Sequence, residues 1–158
     1  MTLVAYSKKM IAKAEELIQL AESRFTLYVP ELKLLRKVVG GEDADYRADE
    51  DVLNDPANSA EWDQNRTLPA YLIVWLCTDR KASSFLTHRG LSILGAKIEG
   101  SLNLQYSSLE FPLILRRCAF TETIRLERAT VKFLDLSGSY LASSQVSDVT
   151  KRLVTSSL

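Results

Sequence analysis

The 158-residue chain has little of what usually betrays a function. It has two cysteines, Cys77 and Cys118, 41 positions apart and without a CxxC pair. A disulfide framework is therefore not expected, and a reducing cytoplasm is the simplest setting. There is one histidine, His88, with no carboxylate near it in sequence. Charge of one sign is also missing. Twenty basic residues balance twenty acidic ones, so no global field attracts nucleic acid or imitates it. The longest strongly apolar run is Tyr71–Cys77, "YLIVWLC", far short of the roughly 20 residues a membrane span requires. The first ten residues, "MTLVAYSKKM", lack the apolar block of a secretory signal. What is present is ordinary for a folded domain: 46% apolar and 25% charged residues, enough for a hydrophobic core.

The first third reads as helix. Val4, Ile11, Ile18 and Phe25 recur every seven residues, and Ala14, Leu17 and Ala21 widen the stripe from about residue 4 to 24. Lys8, Lys9 and Lys13 come early and Glu15, Glu16 and Glu22 late. That order opposes the helix macrodipole, so the helix depends on packing. Pro30 starts a second helix, "PELKLLRKVV", ended by Gly40 and Gly41. Between Glu42 and Asp55 stand seven acids and one base, which predicts a solvated or poorly ordered loop. Its carboxylate spacing brushes against a calcium loop, but the central glycine is missing. Asn58 and Glu61 match a capping box, and Pro69 divides the following stretch into two helices, with Thr67 capping the second. That second helix is apolar nearly all round. Trp62 and Trp75 read as core aromatics, and "RKASSFL" as a short helix leading to the last third of the chain.

From Leu91 the pattern changes. Leu91-Ser92-Ile93, Leu102-Asn103-Leu104, Leu113-Ile114-Leu115 and Ile124-Arg125-Leu126 are spaced by eleven residues, and Leu134-Asp135-Leu136 comes after ten. A second column keeps pace: Ala96 with Ile98, Ser107 with Leu109, Cys118 with Phe120, Ala129 with Val131, and Ser139 with Leu141. A fixed period of this kind marks a stacked architecture. The local period of two predicts short strands whose triplets point both outer members inward. A bend every five residues or so predicts four sides and a turn of about 22 residues, two units per turn. An eleven-residue turn would be too flat to enclose Leu, Ile and Phe.

The core pairs "AKI", "SSL", "CAF", "ATV" and "SYL" resemble the pentapeptide-repeat proteins, whose chains wind a right-handed quadrilateral β-helix. The departures are an extra residue in alternate units and a large Leu or Ile where every other pentad has a small residue. With "WDQNRTLPAYLIVWLCTD" ahead of "THRGLSILGAKIEGSLNLQYSSLEFPLILRRCAF", the chain also resembles bacterial proteins with a helical leader before such repeats, some labelled membrane-associated oxidoreductase. The resemblance covers roughly residues 60 to 141.

The expected fold is α+β: a helical N-terminal cap over 1–87, a short pentapeptide-repeat-like β-solenoid over 88–142, and a tail over 143–158. The solenoid has about two and a half turns, and its open ends need cover. The tail, with Val146, Val149 and Leu153 on one helical face and Ser144 ahead of them, is read as a capping helix, as the start of further repeats, or as an association surface. Gly90, Gly95 and Gly100 fall at pentad spacing. The near match of "GLSILGAKI" to a phosphate-binding loop is therefore read as corner glycines. Cys118 lies in the small inward column and is read as packed and inert; a Cys77–His88 dyad has only sequence coincidence behind it.

Function on such a fold resides on the outward faces. Arg116, Arg117, Arg125 and Arg128 crowd two adjacent units, and a 22-residue turn stacks Tyr106 with Arg128 while Arg117 lies opposite. These five residues are the candidate partner-binding surface; a solvated face neutralised by Glu122 and Glu127 is the bland reading of the same positions. The expected function is a non-catalytic scaffold or protein–protein interaction module. No cofactor is expected, and the partner is a protein, a second copy of the chain among the arrangements considered. The resemblance supplies two alternatives: a DNA-mimic topoisomerase inhibitor, which would need an acidic rod, and a cofactor-dependent oxidoreductase.

Overall fold

The computed structural model describes residues 2–141 and 146–147, in a mixed α+β arrangement with parallel sheets. Helix α1 (Leu3–Glu22) begins at Thr2, whose hydroxyl accepts the Ala5 N–H at 3.1 Å. It buries Ala14, Leu17, Ile18 and Ala21. The apolar stripe predicted from residue 4 onward is thus covered only in its second half. The neighbouring helix α2 (Val29–Val39) has 11 residues against the 20 of α1, so the start of α1 runs on without a partner. Helix α2 has Pro30 in its first turn, and the Glu31 carboxylate accepts the Tyr28 N–H. Gly41 comes after α2 at φ +67, the left-handed conformation that glycine adopts without strain.

Most of the acidic stretch after α2 is exposed, as predicted for a solvated loop, but parts of it are fastened to the rest of the fold. Ala44–Asp45 form strand β1, and the Tyr46 N–H donates to the Leu94 carbonyl at 2.8 Å. Ala44 and Tyr46 are buried, and the Tyr46 hydroxyl donates to the Pro30 carbonyl at 2.7 Å. Asn54 then closes the loop, accepting from Ala48 N at 2.7 Å and donating to Ala48 O at 2.9 Å. Asp55, the last of these acids, and Asp63 further on serve as turn caps: Asp55 accepts from Ala57 N and Asp63 from Asn65 N.

Of the next two predicted helices, the first is corrected and the second, after Pro69, is present with a different start. Pro56–Glu61 is a 3-10 segment capped by Asp55, with Asn58 inside it, so Asn58 does not cap a helix. Gln64–Arg66 makes one further 3-10 turn. Thr67–Pro69 is strand β2, and Thr67 does not cap the helix after it; it closes the 3-10 turn, its N–H donating to the Gln64 carbonyl and its hydroxyl to the Asp63 carbonyl. Proline explains the break. It has no N–H to give to a helix and disfavours helical geometry just before it, which leaves Thr67 and Leu68 extended to pair with a neighbour. Helix α3 (Ala70–Thr78) starts after Pro69 and buries Leu72, Ile73, Trp75, Leu76 and Cys77. Asp79 caps the short helix α4 (Arg80–Ser83) through Ala82 N.

Ten short strands come next, β3 (Leu91–Leu94), β4 (Lys97–Glu99), β5 (Leu102–Asn103), β6 (Ser108–Leu109), β7 (Leu113–Arg116), β8 (Ala119–Phe120), β9 (Ile124–Arg125), β10 (Thr130–Val131), β11 (Leu134–Asp135) and β12 (Tyr140–Leu141), and then β13 (Val146–Ser147). They fall into four parallel sheets in the orders β1-β3-β7-β11, β2-β4-β8-β12, β5-β9-β13 and β6-β10. The chain visits these sheets in a fixed cycle. Leu91 is opposite Leu113, Ile98 opposite Phe120, Leu102 opposite Ile124 and Leu109 opposite Val131, each 22 residues later. Leu113 opposite Leu134 and Phe120 opposite Leu141 are 21 apart. The missing residue lies at one corner. Glu110, Phe111 and Pro112 join β6 to β7, whereas only Lys132 and Phe133 join β10 to β11. The Phe133 carbonyl accepts from Leu113 N as the Pro112 carbonyl accepts from Leu91 N one cycle earlier.

All ten outer members of the five triplets are buried, as are Ile98, Leu109, Phe120 and Val131 of the second column. Strands β1 and β2 extend two of the sheets by one layer, so the region expected to be a helical cap supplies two strands of its own. Helix α3, which comes directly after β2, packs against β5 and β6. These are the end strands of the third and fourth sheets. One core cluster runs from α1 and α2 through α3 into the strands. Of the tail, the described part is β13, a strand in register with β9; the rest of the predicted C-terminal helix lies outside the described residues.

Candidate binding surface

Among the described residues, three other than glycine have positive φ: Tyr106 at 62°, Arg117 at 52° and Arg128 at 56°. All three sit at corners between strands. Arg117 shares its corner, between the first and second sheets, with Gly95 (φ 68°) one cycle earlier and Gly138 (φ 67°) one cycle later. Tyr106 and Arg128, 22 residues apart, share the corner between the third and fourth sheets, where Tyr106 N donates to Glu127 O at 3.0 Å. Left-handed backbone costs a residue with a Cβ roughly 1–2 kcal/mol. Glycine is the inexpensive choice, and the chain makes it at two of these five positions, Gly95 and Gly138.

The glycines also make room. A Cβ on Gly95 would fall 2.5 Å from Arg47 Cγ, and one on Gly138 would fall 3.1 Å from Arg117 Cγ. In this column the stem of an arginine lies against the next glycine. The near match to a phosphate-binding loop has the same explanation. Gly95 is a corner between β3 and β4, and a strand comes after it where a phosphate loop would lead into a helix.

The predicted surface residues divide into two groups. Arg116 and Arg117 lie at the first corner. The Arg116 Nε is 2.6 Å from Asp135 Oδ2, and the Arg117 Nη1 is 3.0 Å from Asp51 Oδ1. Tyr106, Arg125 and Arg128 cluster at the corner two steps round the cycle, where Arg125 reaches Glu127 at 3.1 Å. Tyr106 is 73% exposed, and Arg128 is exposed beside it in the next layer. The neutralising role expected of Glu127 is thus filled through Arg125, and Asp51, 66 residues from Arg117, takes a share that nothing in the spacing announced.

Asp135 is the buried member of its pair. Burial pushes its pKa up, but hydrogen bonds from Ser137 and Arg116 outweigh that and hold it down at about 2. A second fastening unpredicted from sequence involves Arg66, whose guanidinium lies 3.7 Å over the Trp62 ring and donates to the Gly95 carbonyl at 2.8 Å. Trp62 in turn donates from Nε1 to Leu53 O at 2.9 Å. This indole is buried, as expected of a core aromatic, and it also clamps the acidic segment. Trp75 does fill the core, edge-on to Phe25 at 5.5 Å between ring centroids.

Both cysteines are buried, and burial pushes each thiol up to about 12. At neutral pH neither supplies a thiolate. His88 is exposed in the turn before β3, so the Cys77–His88 pair offers no activated nucleophile. Among the described residues, no group of three His, Cys, Asp or Glu side chains could hold a metal ion, and no helix is long and apolar enough to cross a membrane.

Comparison of the chain with protein-family models, with curated proteins and with solved structures finds no match. The pentapeptide-repeat resemblance therefore rests on the core pairs themselves.

Proposed function

We propose that the strands build a short right-handed four-sided β-helix of the pentapeptide-repeat kind, that the helices of residues 1–87 close one end of it, and that the chain is a non-catalytic protein-binding module. The 22-residue register in four sheets, the buried triplets and the position of α3 support the architecture. Stacked units hold outward side chains at fixed spacing, which suits recognition of a rigid partner surface.

The observation that carries the binding function is the set of strained corners. Tyr106, Arg117 and Arg128 occupy left-handed positions that glycine fills elsewhere in the same chain. Tyr106 points into solvent, so no packing of its own repays that strain. Backbone strain retained at an exposed side chain points to a use for the side chain, and Tyr and Arg are the residues most enriched at interface hot spots. Protein is favoured over nucleic acid because Arg116, Arg117 and Arg125 are already paired with carboxylates of the same chain, which leaves no concentrated positive field.

Substitution with glycine separates the two roles. Tyr106→Gly and Arg128→Gly should leave stability unchanged or raise it by about 1 kcal/mol each, measured by urea denaturation. The double variant should at the same time lose the proteins that immobilised wild-type chain retains from a lysate of its source cells. An identical set of retained proteins for wild type and double variant would remove this surface from consideration.

A further inference from the structure

The first half of α1 leaves a run of apolar side chains exposed, and its charge order is unexplained by the fold. Leu3, Val4 and Ile11 are 81%, 66% and 63% exposed, although they continue the stripe that Ala14, Leu17 and Ile18 bury further along. Val4, Lys8, Ile11 and Glu15 lie at i, i+4, i+7 and i+11, a single line along the helix, and all four are exposed. The first turn contains no acid and the last turn no base. Lys8, Lys9 and Lys13 lie toward the positive end of the macrodipole, and Glu15, Glu16 and Glu22 toward the negative end, an arrangement that is unfavourable in a lone helix.

An antiparallel partner of identical sequence reverses that penalty. We propose that this line is a homodimer interface in which α1 of one copy crosses α1 of a second copy, antiparallel, at Ile11. A two-fold axis there sets Ile11 against its counterpart. It places Lys8 of each copy beside Glu15 of the other, and it sets the two macrodipoles antiparallel, side by side. The contact is isologous, so it closes at two copies and does not propagate into a filament. The line uses only exposed residues, and Ile11 and Glu15 also border a groove that Arg36, Val39 and Glu42 line from the other side. This inference is independent of the corner surface and stands or falls apart from it.

The test is sedimentation velocity of the full chain across concentration. The wild type is expected to dimerise at or below roughly 100 µM, as expected of a small interface. Ile11→Glu should weaken the dimer by at least about tenfold, and so should Lys8→Glu and Glu15→Lys taken singly, because each sets like charges opposite each other twice. An equimolar mixture of the Lys8→Glu and Glu15→Lys chains should dimerise again, since both cross-pairs are then opposite in sign. All three positions are exposed, so folding is not at risk, and circular dichroism of each variant verifies it. A monomeric wild type would overturn the proposal, as would a mixture that stays monomeric or an Ile11→Glu chain that still dimerises. Sedimentation of a monomeric wild type with vesicles of anionic lipid would assign the stripe to a lipid surface and overturn it equally.

Discussion

Gly90→Ala is expected to destabilise the protein by on the order of 3–5 kcal/mol, a large part of the roughly 5–15 kcal/mol available to a domain. Gly90 sits at φ +71°, and a Cβ there would lie 2.0 Å from the Pro112 carbonyl oxygen and 2.9 Å from the Pro112 nitrogen. The clash is with backbone of the next cycle, and no side chain can swing away to relieve it. That carbonyl also accepts the Leu91 N–H at 3.0 Å. Moving it aside breaks the first hydrogen bond between β3 and the layer above. Gly100 is the internal control. Its φ is +95°, but the nearest atom to an added Cβ is Ala70 Cβ at 3.8 Å. Gly100→Ala carries backbone strain without overlap and should cost roughly 1–2 kcal/mol. Urea midpoints of the two variants give the comparison. Equal losses would mean that the close approach of consecutive cycles at Gly90 is wrong.

The second large effect separates neighbours in sequence. Leu104→Lys should be among the most damaging single changes in the chain, on the order of 4 kcal/mol or more. Leu104 is fully buried, and its N–H donates to the Arg125 carbonyl at 2.8 Å. The substitution removes an aliphatic side chain from the interior and leaves an ammonium with no carboxylate to meet. Asn103→Lys, one residue earlier, should stay within about 1 kcal/mol of wild type. Asn103 faces outward, and its loss forfeits only the hydrogen bond its Oδ1 accepts from Gln105 N at 3.1 Å. Thermal unfolding of both variants reads the difference directly. Comparable losses would contradict the alternation on which the interior depends.

The strands from Leu91 onward were legible in sequence because their interior tolerates little but aliphatic side chains. Ten triplet members had to be large and apolar at a fixed interval, and so they were visible as a pattern. Strands β1 and β2 were not legible, for a different reason in each case. Ala44 and Tyr46 alternate as a strand should, but the acids around them dominate the composition of the segment. Thr67-Leu68-Pro69 looks like the approach to a helix, and it does lead into α3. Its extended form is fixed by β4 alongside, which no local signal encodes. The opposed corners of the surface were readable from the 22-residue turn, since that interval joins Tyr106 to Arg128. Their left-handed backbone was not, because an Arg or Tyr gives no warning of positive φ. Comparison of Arg117 with Gly95 and Gly138 would have hinted at it once the single-residue deletion was placed. The Arg117–Asp51 and Arg66–Gly95 links join segments far apart in sequence, and they depend on how the acidic loop folds back.

Strand register is the claim beneath all of this, and cross-linking reads it most directly. Asn103 and Arg125 are opposite each other on β5 and β9 and both face outward. Adjacent strands stand about 4.8 Å apart, within the Cα separation that a disulfide spans. A chain carrying Asn103→Cys and Arg125→Cys should close that disulfide under mild oxidation, while a chain carrying Asn103→Cys and Ile114→Cys, eleven residues apart on different sheets, should remain reduced. Closure of the eleven-residue pair with the 22-residue pair left open would contradict the 22-residue register and the four-sided arrangement proposed from it.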